Sequence, residues 1–214
     1  MKTKFSLPLF ANAILLCGCL TLPACGTSTR QSADIAGVDP HPAPIDNFQV
    51  VEIIAKNGLY RGGQPIENDN RDDWKYLKNI GVKTIIKLNR YSSYGNEEDE
   101  LSSAKRHGIN VKEILMQPED FPHNWNLWAT PTDEQIETAV SVLEDKNNWP
   151  IYIHCSHGKD RTGLIVAIYR VRNDNYCKSK AASEMDFYGA NPFLFGLKQI
   201  LYRKDITENI NCIK

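Results

Sequence analysis

Cys155 and Arg161 stand six positions apart in Ile151-Tyr152-Ile153-His154-Cys155-Ser156-His157-Gly158-Lys159-Asp160-Arg161-Thr162-Gly163, where a short apolar run gives way to a turn. These two residue types at the two ends of one tight loop suit the handling of a phosphate dianion. A guanidinium is a planar fork that grips two phosphate oxygens at once and follows the charge as it spreads in a transition state. Glycines at 158 and 163 permit sharp curvature. The backbone amides of Ser156, His157, Gly158, Lys159, Asp160 and Arg161 are therefore expected to point inward at a helix N-terminus and form an anion nest. The same positive field favours the thiolate form of Cys155, the candidate nucleophile beneath the phosphorus.

Such a loop needs a strand to carry it and a helix to leave it. Pro150 to His154 has the length and residue types of a buried strand, and Arg161 to Arg172 reads as the helix that follows. Upstream, Asn47 to Ile54, Val82 to Leu88 and Ile109 to Met116 read as strands. Asp72 to Ile80 and Glu97 to His107 read as helices stopped by Gly81 and Gly108. Thr132-Asp133-Glu134-Gln135 caps a third helix that runs to about Lys146, and two more are expected over Lys178 to Tyr188 and Pro192 to Arg203. The paired glycines and proline of Leu59-Tyr60-Arg61-Gly62-Gly63-Gln64-Pro65 mark a turn. Gln117 to Pro131, with three prolines and two tryptophans, is a long loop of the kind that carries function. Strands alternating with helices predict an α/β fold, a central mostly parallel sheet flanked by helices on both faces. Sites in such sheets lie at the carboxyl ends of strands, where the Cys155 loop falls.

His154-Cys155-x-x-Gly158-x-x-Arg161-Thr162-Gly163 resembles the signature of the cysteine-based protein tyrosine and dual-specificity phosphatases. The resemblance starts near Leu59, whose Leu-Tyr-Arg-Gly-Gly-Gln-Pro is similar to the opening segment of bacterial secreted members, and reaches about Tyr202. It implies a compact cysteine-phosphatase fold, a phosphocysteine intermediate on Cys155, and no metal or other cofactor. It further implies that Thr162 donates its hydroxyl to the departing sulfur and that His154 orients the loop. A helix-start threonine also serves as a cap and a strand-end histidine as a structural group, and both readings stand beside the catalytic ones. Family members carry an aspartate as general acid on a loop some thirty residues before the cysteine. Here that position falls on Gln117-Pro118-Glu119-Asp120-Phe121-Pro122, with Asp120 the candidate, Glu119 its alternative, and Asp133 better explained as part of a helix N-terminus.

Other readings of the loop fare less well. His154, Cys155 and His157 lack a second ligand pair at a metal-binding spacing, and a rhodanese-like sulfur carrier has no need of Arg-Thr-Gly. A non-catalytic phosphate-binding module remains the rival from a different class. The substrate is expected to be a phosphorylated protein, with a phosphoinositide or inositol phosphate as the alternative suggested by Lys159 and His157 in the loop.

The 214 residues, 42% hydrophobic and 24% charged, suit one folded domain with an appendage. Twenty-five basic against 26 acidic residues leave a formal charge of −1, so no global field points to nucleic acid. Lys2 and Lys4 precede an apolar run, Phe5 to Leu16, too short for a permanent span, which reads as an export signal. Leu22-Pro23-Ala24-Cys25-Gly26 resembles a bacterial lipobox, which places a lipid anchor on Cys25, with Cys19 as the alternative and plain cleavage without lipid as the third course. Residues 1–25 are thus read as signal, 26–47 as a flexible tether and 48–214 as the domain, exported to the periplasm or cell surface. The domain keeps three cysteines, so Cys155 is the free thiol and Cys177 with Cys212 is a candidate disulfide.

Overall fold

The computed structural model describes residues 45–54, 57–68, 70–90, 97–116, 130–207 and 212. The segments expected as export signal and lipobox and the acid candidates Glu119 and Asp120 lie outside them. The chain runs through β1 (Gln49–Ile54), β2 (Asn57–Gly62), a small hairpin of β3 (Glu67–Asn68) and β4 (Arg71–Asp72), α1 (Asp73–Asn79), β5 (Thr84–Lys87), α2 (Glu97–His107) and β6 (Asn110–Glu113). It continues through α3 (Asp133–Glu144), β7 (Ile151–His154), α4 (Asp160–Asn173), α5 (Lys178–Phe187) and α6 (Phe195–Tyr202).

Five strands form one sheet in the order β1-β2-β7-β5-β6, parallel except for the edge pair β1–β2. Side chains alternate across the sheet, and the register sorts them into two layers. Leu59, Ile86, Ile151 and Ile153 pack into the core formed with α3 to α6, whereas Tyr60, Ile85 and Tyr152 pack against Trp74 and Leu77 of α1 and Ala104 of α2. Strand β7, central in the sheet, is buried on both faces, which explains its unbroken apolar run. Full burial of Ile151 and of Ile153 contributes about 1.5–3 kcal/mol each.

The segment expected as a turn from Leu59 is a strand as far as Gly62. It pairs with β1 on one side and β7 on the other, and those ladders override the local preference of its glycines. Gly62 is required by close approach, since a Cβ there would lie 2.3 Å from the Tyr152 hydroxyl. The other parallel strands are shorter than the apolar runs suggest. Leu88 and Met116 nevertheless continue as hydrogen-bonded extended chain, donating to His154 O and Leu88 O. Packing also starts earlier than residue 48: Ile45 is buried against the α1–α2 layer, and the Asp46 carbonyl accepts from Gly63 N at 2.8 Å. Cys177 and Cys212 are joined by a disulfide, and Cys155 is free.

Candidate active site

Strand β7 delivers its last residue, His154, to the carboxyl edge of the sheet, and the loop Cys155 to Lys159 turns there into α4. Cys155 is 4% exposed; Ser156, Asp160 and Arg161 are half-buried, while His157 and Lys159 are exposed. Arg161 is the second residue of α4. Helices α1 and α3 have their first turns capped by Asp72 and by the Thr132–Gln135 capping box. Helix α4 has no side-chain cap, a feature it shares with α5 and α6, and its leading N–H groups lie beside Cys155 at the carboxyl edge of the sheet.

The loop carbonyls are tied to the surrounding frame. Ser156 O accepts from Gln64 N at 3.1 Å, and Gly158 O accepts from Arg61 Nη2 at 2.9 Å and Asn47 Nδ2 at 3.2 Å. Asp160, expected among the phosphate ligands, turns its carboxylate to Asn191 N at 2.6 Å and so latches α4 to the segment after α5. Gly158 has φ +69°, and a Cβ there would lie 2.2 Å from Gly62 C and O. Only glycine fits that crossing of the loop over β2.

On the α1–α2 side, the strand ends carry a buried polar cluster. His154 and Lys87 are register partners on β7 and β5, and both face Glu100 of α2. His154 Nε2 lies 3.0 Å from Glu100 Oε1, and Lys87 Nζ lies 3.8 Å from Oε2. Gln64 Nε2 donates to Glu100 Oε2 at 2.9 Å, and Asn89 Nδ2 donates to Gln64 Oε1 at 3.1 Å. Burial alone would raise the Glu100 carboxyl. His154 and Lys87 outweigh burial and hold the carboxyl below the ordinary value. The cluster fixes the imidazole directly before Cys155, so the loop starts from a rigid base.

Thr162 is fully buried, and among the described residues its hydroxyl has no hydrogen-bond partner, neither as a cap nor on the Cys155 sulfur. Asp133 forms a two-pronged ion pair with Arg203, at 2.8 and 2.9 Å, and that hydrogen bonding holds its carboxyl below the ordinary aspartate value. An aspartate so held stays ionised and makes a poor proton donor. Among the described residues, no cluster of three or more His, Cys, Asp or Glu side chains is arranged to hold a metal. Cys155, His154, Thr162 and Arg161 thus share one strand–loop–helix unit. Of the residues that brace that unit, Arg61 and Gln64 lie in the Leu59 to Pro65 segment, read above as a turn, whereas Asn47, Lys87 and Glu100 had no motif to announce them; the charged Lys87 closing an apolar strand is a signal that a buried partner was required.

Comparison with known proteins agrees with the geometry. Residues 42–191 match the tyrosine phosphatase family. OCA1 of Meyerozyma guilliermondii, which bears a provisional tyrosine-protein phosphatase name, is 32% identical over 114 residues, 52% of this chain and 57% of its own. The inositol diphosphatase DSP3 of Arabidopsis thaliana is 30% identical over 142 residues, 66% of this chain and 62% of its own. The chain therefore spans about three fifths of the length of these two relatives. In fold, it resembles the core catalytic domain of the PP-IP phosphatase SIW14 from S. cerevisiae, with a TM-score of 0.56 at 20% identity over 76% of this chain and 88% of that one. With a match that covers most of its length, the chain belongs to the tyrosine phosphatase family.

Proposed function

We propose that the protein hydrolyses phosphomonoesters with Cys155 as nucleophile. The observation that carries this reading is a free, buried cysteine in the loop between the central strand and α4, with Arg161 in the first turn of that helix. The Cys155 sulfur bonds to phosphorus as the ester P–O bond breaks, and Asp120 gives its proton to the departing oxygen. Water then attacks the phosphocysteine, the S–P bond breaks, Asp120 takes the proton of the water, and inorganic phosphate leaves. Arg161 and the loop amides hold the phosphoryl oxygens through both steps. His154 orients the loop, and Thr162, whose hydroxyl is otherwise uncommitted, eases departure of the sulfur.

The substrate proposed first is a phosphorylated protein, which makes this a tyrosine or dual-specificity phosphatase. A second reading, a phosphoinositide or inositol phosphate, is favoured by the exposed Lys159 at the loop and by the name of the Arabidopsis relative. Rates on a panel of phosphotyrosine and phosphoserine peptides, phosphoinositides and inositol phosphates decide between them. Cys155→Ser is expected to abolish turnover of every member and to keep phosphate binding; retained turnover would remove Cys155 from its role. The site is further proposed to work outside the cytoplasm on a lipid-anchored domain, supported by Lys2, Lys4, the apolar run and the lipobox. Release of Cys25→Ala, but not Cys19→Ala, from the membrane fraction tests the anchor, and the reverse pattern moves it to Cys19.

A further inference from the structure

Arg61 stands opposite Ile153 in the β2–β7 ladder, so its side chain enters the α4–α5 layer from below the loop. It is 1% exposed. One nitrogen, Nη2, donates to Gly158 O, and the guanidinium carbon sits 4.4 Å from the centroid of the Tyr188 ring. Its Nε and Nη1 are buried with no hydrogen-bond partner. No carboxylate pairs with it among the described residues: Glu184, the strongest negative influence on it, is bound at 3.3 Å to Arg170 instead.

A buried cation without a counter-ion costs several kcal/mol, and a residue that only filled space would be apolar or paired. The missing negative charge has an evident source. The Cys155 side chain is among the groups whose field acts on Arg61, and a phosphate dianion in the loop would add to it. We propose that Arg61 is a positioning residue of the phosphate site, a second cation behind the loop that pins its crest at Gly158 and stabilises the bound anion and the Cys155 thiolate through space. This deepens the proposed function and rests on it. Arg161 grips the anion from the helix side, and Arg61 adds positive potential from the sheet side without touching substrate. Arginine suits this place because the group stays charged when desolvated and stacks on an aromatic face.

The test is alkylation of Cys155 by neutral iodoacetamide in the full chain, read by mass spectrometry of the Cys155 peptide, with inorganic phosphate as the protecting probe. Arg61→Gln keeps a donor for Gly158 O and deletes the charge. Its alkylation at pH 6 is expected to slow about five- to tenfold with little change at pH 9.5, as expected when a nearby opposite charge is lost. The phosphate concentration that half-protects Cys155 should rise about tenfold. Arg61→Lys, which keeps the charge, should stay within about threefold of wild type in both readouts. Wild-type protection with an unchanged Arg61→Gln would overturn the role of Arg61 alone. A wild type that phosphate does not protect would overturn the phosphate-site reading and this inference with it. Should Arg61→Gln fail to fold, Arg61→Lys decides: near-wild-type values support the charge, and a tenfold loss overturns it.

Discussion

Removing the Glu100 carboxylate takes the acceptor from the buried Gln64 amide and the facing partner from the buried Lys87 and His154 side chains. The side chains of Glu100 and Lys87 are each 1% exposed and that of His154 is 0% exposed, so water cannot step in. Glu113, 3.2 Å from Lys87 and 35% exposed, compensates only part of the loss. Breaking a buried pair in this way costs about 3–5 kcal/mol. At roughly 2–4 °C per kcal/mol for a domain of this size, Glu100→Ala should lower the melting temperature at pH 7 by about 6–20 °C. The same carboxyl is held below its ordinary value, so its stabilisation is fully present above about pH 4.3 and is lost as pH falls through the folded-state value. The gap between wild type and mutant should therefore narrow on acidification. Circular-dichroism melts of both proteins from pH 7 down to about pH 3 measure it. The double change Glu100→Leu with Lys87→Met should regain only part of the loss, because it removes the buried ammonium but leaves His154 and the Gln64 amide without their acceptor. A mutant within about 2 °C of wild type at pH 7, or a gap that does not change with pH, refutes the reasoning.

Gly158→Ala meets both a positive φ and the Gly62 backbone, so the loop must move; kcat/KM on p-nitrophenyl phosphate should fall about a hundredfold, and activity within threefold of wild type would show the crossing to be pliable. Asp120→Asn should lower kcat on a phosphotyrosine peptide about a hundredfold, less on a nitrophenyl ester, and flatten the basic limb of the pH profile. Near-wild-type Asp120→Asn beside a crippled Glu119→Gln would move the acid to Glu119. The Cys177–Cys212 disulfide closes a separation of 35 residues, so changing both cysteines to alanine should cost about 2–4 kcal/mol in urea unfolding with little effect on turnover. An unchanged midpoint would make the link incidental.

What the sequence disclosed was what is local. The loop from Cys155 to Arg161 lies within one strand, one turn and the start of one helix, so residue types and spacing sufficed to nominate both residues. Alternation of strand and helix likewise predicted a mostly parallel sheet, and the odd cysteine count pointed to Cys177 with Cys212. β2 was hidden because its order comes from two distant partners, β1 and β7, while Gly62, Gly63 and Pro65 speak locally for a turn. The braces were hidden for the same reason. Glu100, Lys87 and His154 come from α2, β5 and β7, and Asn47 and Arg61 reach Gly158 across 111 and 97 residues, pairings that no spacing rule encodes. Asp160 adds a role that spacing did not suggest: its carboxylate, as distinct from the backbone amide expected at the phosphate, serves as a latch on Asn191.

In the proposed reaction the phosphoryl group passes from the ester oxygen to the Cys155 sulfur. Rapid acid quench of the Asp120→Asn protein during turnover of p-nitrophenyl phosphate, followed by peptide mass spectrometry, tests it directly, because slow loss of the intermediate lets it accumulate. The account predicts a phosphoryl group on the peptide that contains Cys155, absent from Cys155→Ser treated in the same way. Turnover with no phosphorylated enzyme at any quench time, or with the phosphoryl group on another residue, would contradict it.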